Sequence, residues 1–442
     1  MKYSFYLLSM MVSGIKSIEK EVEISFYKKG VNKNFDPEKY RIKAIYGENG
    51  AGKSGIITAV NIFRNLVVNE DYLGDSENQR LLGELVNKKT NYFKFQCEFL
   101  NDTELGRLVH RYCVELRKND KGKFEISYES LERKNGNYSQ SEYRRVFLCR
   151  DGLLEFADCD AETRKKIDDL SFNLLSFKSM ESILLSNPNV FSYENELELF
   201  VLSTLFCSFL ALLIKVYLTD EDRHEHYFIQ KKLNEELVKN EVTNELVTYF
   251  NKCLAKFTRV NEKRVSKENY PLYVEKVQRL CSFIHIFKHD LKKIDIDSKE
   301  HGDYLECELI LDYGEYRIAK EFESTGIKKL ISLYDCLDSA SRGEIVFIDE
   351  MDSNLNDVYF CRMIEFFMYY GNGQLCFTTH NIDPMNVLQK NKCSIEFLSN
   401  DNILIPWTAK GNATAENYYK NGLIAHLPFN VTATDFIGIL GG

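Results

Sequence analysis

The chain has 442 residues, 44% of them hydrophobic and 13% aromatic, enough for one large core or several smaller ones at about 150 residues per domain. Only 6 prolines and 23 glycines occur, which excludes collagen-like and low-complexity chains. The formal charge of −9 speaks against a protein that coats nucleic acid by counterion release.

In chain order, Tyr3–Val12, Val22–Phe26 and Arg41–Tyr46 read as strands from their β-branched and aromatic content. The opening MKYSFYLLSMMVSGIKS is expected to be the first of them and not a signal peptide. Ser54–Val68 reads as a helix with a strongly apolar face. Tyr92–Phe99, Val109–Leu116 and Phe124–Tyr128 then alternate in polarity as a meander, with turns at Asn119–Gly122 and Lys134–Asn137.

From about Asp160 to Asp290 helical patterns dominate, with boundaries expected at Pro188 and Pro271. No sustained heptad appears, so no long coiled-coil arm is expected. Leu199–Ile214 is uncharged, lies between Glu194, Glu196, Glu198 and Lys215, and is shorter than the ~20 residues of a membrane span. It is expected to be a core helix. Strand character returns at Tyr304–Leu311 and Tyr316–Lys320. A helix, the strand Glu344–Ile348, a second helix and the strand Gln374–Thr378 follow. This βαβ rhythm implies parallel strands buried on both faces. The 12 cysteines form no C-x-x-C pair, which fits reduced, buried thiols in a cytoplasmic protein.

Four segments carry chemistry. In AIYGENGAGKSGIITAV the spacing Gly47-x-x-x-x-Gly52-Lys53-Ser54 follows an apolar strand and opens a helix, the context that a phosphate-binding loop requires. Glycines, Gly50 among them, let successive amides face one anion, and the helix N-terminus adds partial positive charge. Asn49 lies within the same loop. Lys53 is expected on the β- and γ-phosphates of ATP and Ser54 on Mg2+. In GEIVFIDEMD, Asp349 and Glu350 follow the apolar run Ile345–Ile348, at the strand end where open α/β sheets bind ligands. Asp349 is the expected Mg2+ ligand and Glu350 is placed to polarise the attacking water. In QLCFTTHN, the strand ends in Thr378, Thr379 and His380; His380 is placed to sense a γ-phosphate. In FESTGIKKLISLY, Ser324 and Gly326 open a helix with Lys328 and Lys329 in its first turn. Lysines there oppose the helix dipole, which an anion nearby would offset.

The order of these parts resembles the ATP-binding cassette of the SMC, RecF and OLD type, and more narrowly the cassette ATPases of bacterial abortive-infection and phage-defence systems. IKSIEKEVEISF, HRYCVELRKNDKGKFEISYESL, ESTGIKKLISLY and ENYYKNGLIAHLPF carry the likeness. It covers about residues 1–150 and 300–430. The resemblance implies an α/β fold: a cassette head with a P-loop, a mixed central sheet and an antiparallel β-subdomain, interrupted by a helical insertion. The expected division is an N-terminal lobe at 1–150, the insertion at 151–300 and a C-terminal lobe at 301–442. It also implies a homodimer or higher homo-oligomer around ATP, in which Ser324 and Gly326 of one copy contact the γ-phosphate held by the other. The D-loop would start near Asp352. Asn356-Asp357 stands where the family commonly has a histidine-proline pair, and the signature lacks the LSGGQ of transporters. The Q-loop glutamine has no assigned counterpart, Gln96 being a weak candidate.

OLD-type nucleases append a carboxylate domain after the cassette; 62 residues follow His380 here, short of the ~100 of a small domain. The expected role is therefore a switch ATPase that controls a separate effector, a toxin or nuclease, in anti-phage defence. The alternative is a RecF-like DNA-binding repair ATPase. Arg279/His285, the pair His285 and His289, and the basic runs Arg259–Lys267 and Lys288–Lys293 are read by default as ordinary helix and surface residues. No membrane partner is expected; nucleic acid stays open as a partner, through those basic runs, but net charge does not indicate it.

Overall fold

The computed structural model describes residues 4–27, 30–103, 106–187, 190, 199–218, 259–391, 393–408 and 413–427. Pro188, Cys253, Glu194, Glu196, Glu198 and the 219–258 part of the heptad reading lie outside them. The strands in chain order are β1 (Ser4–Ser13), β2 (Val22–Ser25), β3 (Ile42–Gly47), β4 (Tyr92–Thr103), β5 (Gly106–Lys118), β6 (Phe124–Asn135), β7 (Arg144–Arg150), β8 (Leu153–Ala157), β9 (Ile214–Tyr217), β10 (Arg264–Ser266), β11 (Lys293–His301), β12 (Tyr304–Asp312), β13 (Arg317–Ala319), β14 (Ile345–Ile348), β15 (Gln374–Thr378), β16 (Ile395–Leu398) and β17 (Leu404–Pro406).

They form three sheets, so the molecule is mixed α/β. An outer antiparallel sheet runs β2-β1-β4-β5-β6-β7-β8. A small antiparallel sheet is ordered β10-β12-β11, with β13 on β12. The central sheet runs β17-β16-β3-β15-β14-β9. All central pairings are parallel except β16 with β17. The parallel strands therefore end on one edge, as the βαβ rhythm implied.

Side-chain parity explains how the central sheet is clothed. Ile45, Phe347 and Cys376 face one core with the helix Lys53–Val68. Their neighbours Ala44, Tyr46, Val346, Ile348, Leu375 and Phe377 face a second core, with Leu333, Leu337, Phe360 and Ile364 from the helices Thr325–Arg342 and Asp357–Tyr370. The helix Lys53–Val68 was expected to show one apolar face, but is buried nearly all round. It lies between two sheets: Phe63 stacks on Phe95 at 4.7 Å and meets Tyr112 at 5.3 Å, and burying such a ring contributes about 1.5–3 kcal/mol. Gln374 joins the sheets directly. Its amide accepts from Leu7 N–H at 2.6 Å and donates to Leu7 C=O at 2.9 Å, where a bulge between Leu7 and Ser9 interrupts the β1–β4 ladder.

The middle of the chain departs from a purely helical reading. Helices occur at Ala161–Ser171, Met180–Ser186, Leu199–Leu213 and Tyr270–His285. The last starts with Pro271 in its first turn, where a missing N–H costs nothing. The apolar run at 199 leaves its helix at Leu213 and becomes β9, which pairs in parallel with β14. Leu-Leu-Ile-Lys-Val-Tyr carries no turn residue at that change, so periodicity alone does not mark it. Leu199–Leu213 packs against Lys53–Val68 and Met180–Ser186. Its hydroxyls are satisfied: Ser203 and Thr204 donate to the Leu199 and Val201 carbonyls one turn back, and Ser208 reaches Glu181 Oε2 of the helix Met180–Ser186 at 2.9 Å. Among the described residues no helix is long and apolar enough to cross a membrane.

Candidate functional site

The site is built where β3, β14 and β15 end. After β3 the chain turns through Glu48–Gly52 into the helix Lys53–Val68. Gly47 must be glycine because an added Cβ would stand 2.4 Å from Leu398 O of β16. Gly50 and Gly52 have φ of +85° and +109°, a region costly for residues with a Cβ. A Cβ on Gly52 would meet Ile18 Cγ1 at 2.7 Å, whereas above Gly50 nothing lies within 4 Å. Asn49 and Gly50 are exposed and Ser54 is half-buried. The helix begins without a side-chain cap and without an acid in its first turn. Its first amide donors are thus left for another acceptor. Lys53 is buried; its Nζ donates to Gly47 O at 2.8 Å and Glu48 O at 2.9 Å, closing the loop on itself. Burial pushes its pKa down against the pull of Asp349, Glu350 and Asp352.

Asp349 follows β14, and its N–H donates to Tyr217 O at 2.9 Å, extending the β9 pairing. Thr378, at the end of β15 and fully buried, ties the carboxylate strand together. Its Oγ1 donates to Asp349 Oδ1 at 2.5 Å and accepts from Glu350 N–H at 2.8 Å. Glu350 has a left-handed φ of +44°. His380 is exposed on one side. Its imidazole pKa is lowered, first by desolvation on the packed side and then by Lys53, with Asp352, Glu350 and Asp349 opposing. Lys53, Asp349, Glu350 and His380 therefore share one electrostatic neighbourhood, assembled from three strand ends.

Ser324 caps the helix Thr325–Arg342, accepting from Ile327 N–H at 3.4 Å, and stands exposed with Thr325. An added Cβ on Gly326 would lie 3.1 Å from Asn354 O, so this helix end abuts the loop after Glu350. Among the described residues no hydrogen bond or ion pair joins Ser324 or Gly326 to Gly47–Ser54 of the same chain. Asn356 caps the helix Asp357–Tyr370, and Asp357 accepts from Asn381 Nδ2 at 2.7 Å. Gln96 lies mid-strand in β4, opposite Cys113 and Met11.

Two residues escaped the sequence reading in their roles. Thr378 is one, because its partners are 29 and 28 residues away. Lys329 is the other: its Nζ donates to the Glu350 carbonyl at 3.1 Å, and burial lowers its pKa against the pull of Glu350, Asp352 and Asp349. Lys328 instead points its Nζ at Glu321 O, 3.3 Å away. His285 and His289 meet edge to face at 5.7 Å, and His285 Nδ1 lies 3.1 Å from Leu291 O. Arg279 pairs with Glu275 at 3.9 Å.

Mg2+ takes hard oxygen ligands and is typically held by one or two carboxylates together with substrate phosphates. The Asp349 carboxylate and the Ser54 hydroxyl are donors of that kind. Among the described residues there is no group of three or more His, Cys, Asp or Glu that could hold a metal ion.

The chain matches no protein-family model and no curated protein. Among solved structures, a crystal structure of an Smc head bound to the C-winged helix domain of ScpA is similar to it. The two are 16% identical, with a TM-score of 0.44, over 92% of this chain and 98% of that one.

Proposed function

We propose that this chain is a cassette-type switch ATPase that binds Mg-ATP, associates with further copies of itself around the nucleotide, and hydrolyses it slowly. The observation that carries this reading is the meeting of an uncapped, glycine-turned helix start bearing buried Lys53 with Asp349, Glu350 and His380 at one sheet edge. In this reading the amides from Gly47 to Ser54 bind the phosphates, with Asn49 and Gly50 on the open side. Lys53 leaves its two loop carbonyls for the β- and γ-oxygens. Asp349 and Ser54 would hold Mg2+, which would supply charge neutralisation for the phosphates, and Thr378 orients Asp349. Glu350 orients and polarises the attacking water. His380 touches the terminal phosphate. Its imidazole can offer that phosphate an N–H.

Exposed Ser324 and half-buried Gly326 suit contact with the triphosphate held by a second copy, since among the described residues no hydrogen bond or ion pair ties them to Gly47–Ser54 of their own chain. The role of the assembly, control of a separate toxin or nuclease in anti-phage defence, rests on the sequence resemblance. Lys53→Ala is expected to abolish binding of a fluorescent ATP analogue. Glu350→Gln is expected to retain ATP and shift the protein to a larger species in sedimentation velocity. A Glu350→Gln protein that neither retains ATP nor changes mass refutes the sandwich.

A further inference from the structure

The helix Thr325–Arg342 carries a buried ammonium that the nucleotide reading leaves unused. Lys329 is 5% exposed. Its Nζ donates to the main-chain carbonyl of Glu350 at 3.1 Å and sits 4.6 Å from the ring centroid of Tyr217. Tyr217 is the last residue of β9, and its own carbonyl accepts from Asp349 N–H. The ammonium is thus held between the aromatic face at the sheet edge and the carboxylate segment. A buried cation near the start of a helix works against the dipole. It is held here by the Glu350 carbonyl and the Tyr217 ring, and is attracted by the charges of Glu350, Asp352 and Asp349.

The residue it grips is in an uncommon conformation. Glu350, with φ +44°, occupies the left-handed region that non-glycine residues seldom adopt. Such a conformation persists only when neighbours over-determine it. The peptide groups of Glu350 are held on both sides: its N–H by Thr378 Oγ1, and its C=O by Lys329 Nζ and by Ser353 N–H at 3.1 Å. Thr378 and Ser353 belong to the sheet edge and to the same turn. Lys329 alone among these comes from the helix that Ser324 caps.

We propose that Lys329 is a positioning residue that fixes the Glu350 main chain and so couples the Ser324–Gly326 helix end to the hydrolytic carboxylate of the same chain. The inference rests on the reading of Glu350 given above. Lys329 lies five positions beyond Ser324, about 7.5 Å along a helix at 1.5 Å per residue. A helix end drawn toward a partner's triphosphate carries Lys329 with it and changes the grip on Glu350. Each chain's own hydrolysis then depends on whether its signature end is engaged, and the two sites of an assembly fire together.

The test is steady-state ATP hydrolysis by wild type, Glu350→Gln, Lys329→Met and Lys329→Arg, with nucleotide affinity measured separately by a fluorescent ATP analogue. Lys329→Met is expected to lower kcat on the order of 10- to 100-fold, the usual effect of misplacing a catalytic group by about 1 Å, while KM and analogue affinity stay within about twofold. Lys329→Arg, which keeps a cationic donor, is expected to recover part of kcat. A merely structural lysine would lower melting temperature or affinity without this split. Unchanged kcat in Lys329→Met, or a loss confined to affinity, overturns the proposal. If Lys329→Met does not fold, Lys329→Gln carries the same test: lowered kcat with intact affinity supports it, and unchanged kcat or lost affinity overturns it. A wild type that does not hydrolyse ATP, or an active Glu350→Gln, would instead sink the nucleotide reading itself.

Discussion

Replacing Thr378 by valine removes a single hydroxyl from the centre of the site and keeps the side-chain outline. That hydroxyl donates to Asp349 Oδ1 at 2.5 Å and accepts from Glu350 N–H at 2.8 Å. At 0% exposure, no solvent can replace it. A hydrogen bond to a charged group is worth about 1.5–3 kcal/mol, and leaving a buried N–H unpaired costs about 1–3 kcal/mol. Because both belong to one network they do not add fully, and the expected loss is roughly 2–4 kcal/mol. At about 2–4 °C per kcal/mol for a domain of 150–250 residues, melting should fall by roughly 5–15 °C. Thr378→Ser restores the hydroxyl and drops a methyl, so it should cost about 1 kcal/mol. Thermal unfolding followed by circular dichroism measures all three proteins. A valine variant that melts at or above the serine variant would refute the claim that this hydroxyl organises the strand end. The same pair should separate in hydrolysis, because valine frees the main chain of Glu350 and serine does not.

Two further outcomes follow from the geometry. Gly47→Ala should destabilise more than Gly50→Ala in urea unfolding. The first places a Cβ 2.4 Å from the Leu398 carbonyl, while the second meets nothing and bears only the backbone strain of φ +85°, about 1–2 kcal/mol. Equal midpoints would mean that β3 and β16 are not so closely apposed. Lys215, buried in β9 beside Glu344 at 3.7 Å, has its pKa lowered to about 7, chiefly by burial. An unfolded lysine titrates near ~10.4, so between about pH 7 and 10 the unfolded chain binds more protons and stability should rise with pH. The destabilisation is full below pH 7 and is relieved as pH climbs through that window. Denaturation at pH 7, 8.5 and 10 checks it, and Lys215→Met should flatten the slope.

How far the sequence could be read depends on whether the signal was local. β3, the glycine turn and the helix Lys53–Val68 were legible because strand content, positive-φ glycines and an apolar run follow one another without interruption. β15 was read to its exact ends, and β14 to within a residue, because three or four apolar residues stop abruptly at polar ones. β9 was not legible. Its residues continue the apolar run of the preceding helix, and only hydrogen bonding to β14 makes them a strand. The Lys328-Lys329 pair shows the same limit. The sequence places both in a helix first turn, but which one is buried depends on what packs against that face.

The linear order of residues alone therefore settled the elements that carry the glycine turn and the two strand ends. Propensity and short-range spacing act within a few residues, and these features lie within such stretches. Tertiary structure decided which side chains complete the site. Thr378 grips Asp349 and Glu350, and Lys329 reaches the Glu350 carbonyl, only because parallel strands 29 residues apart end on one edge and a helix crosses beneath them. A hydrogen bond forms between groups about 3 Å apart in space, and separation along the chain holds no record of that distance until the sheet closes.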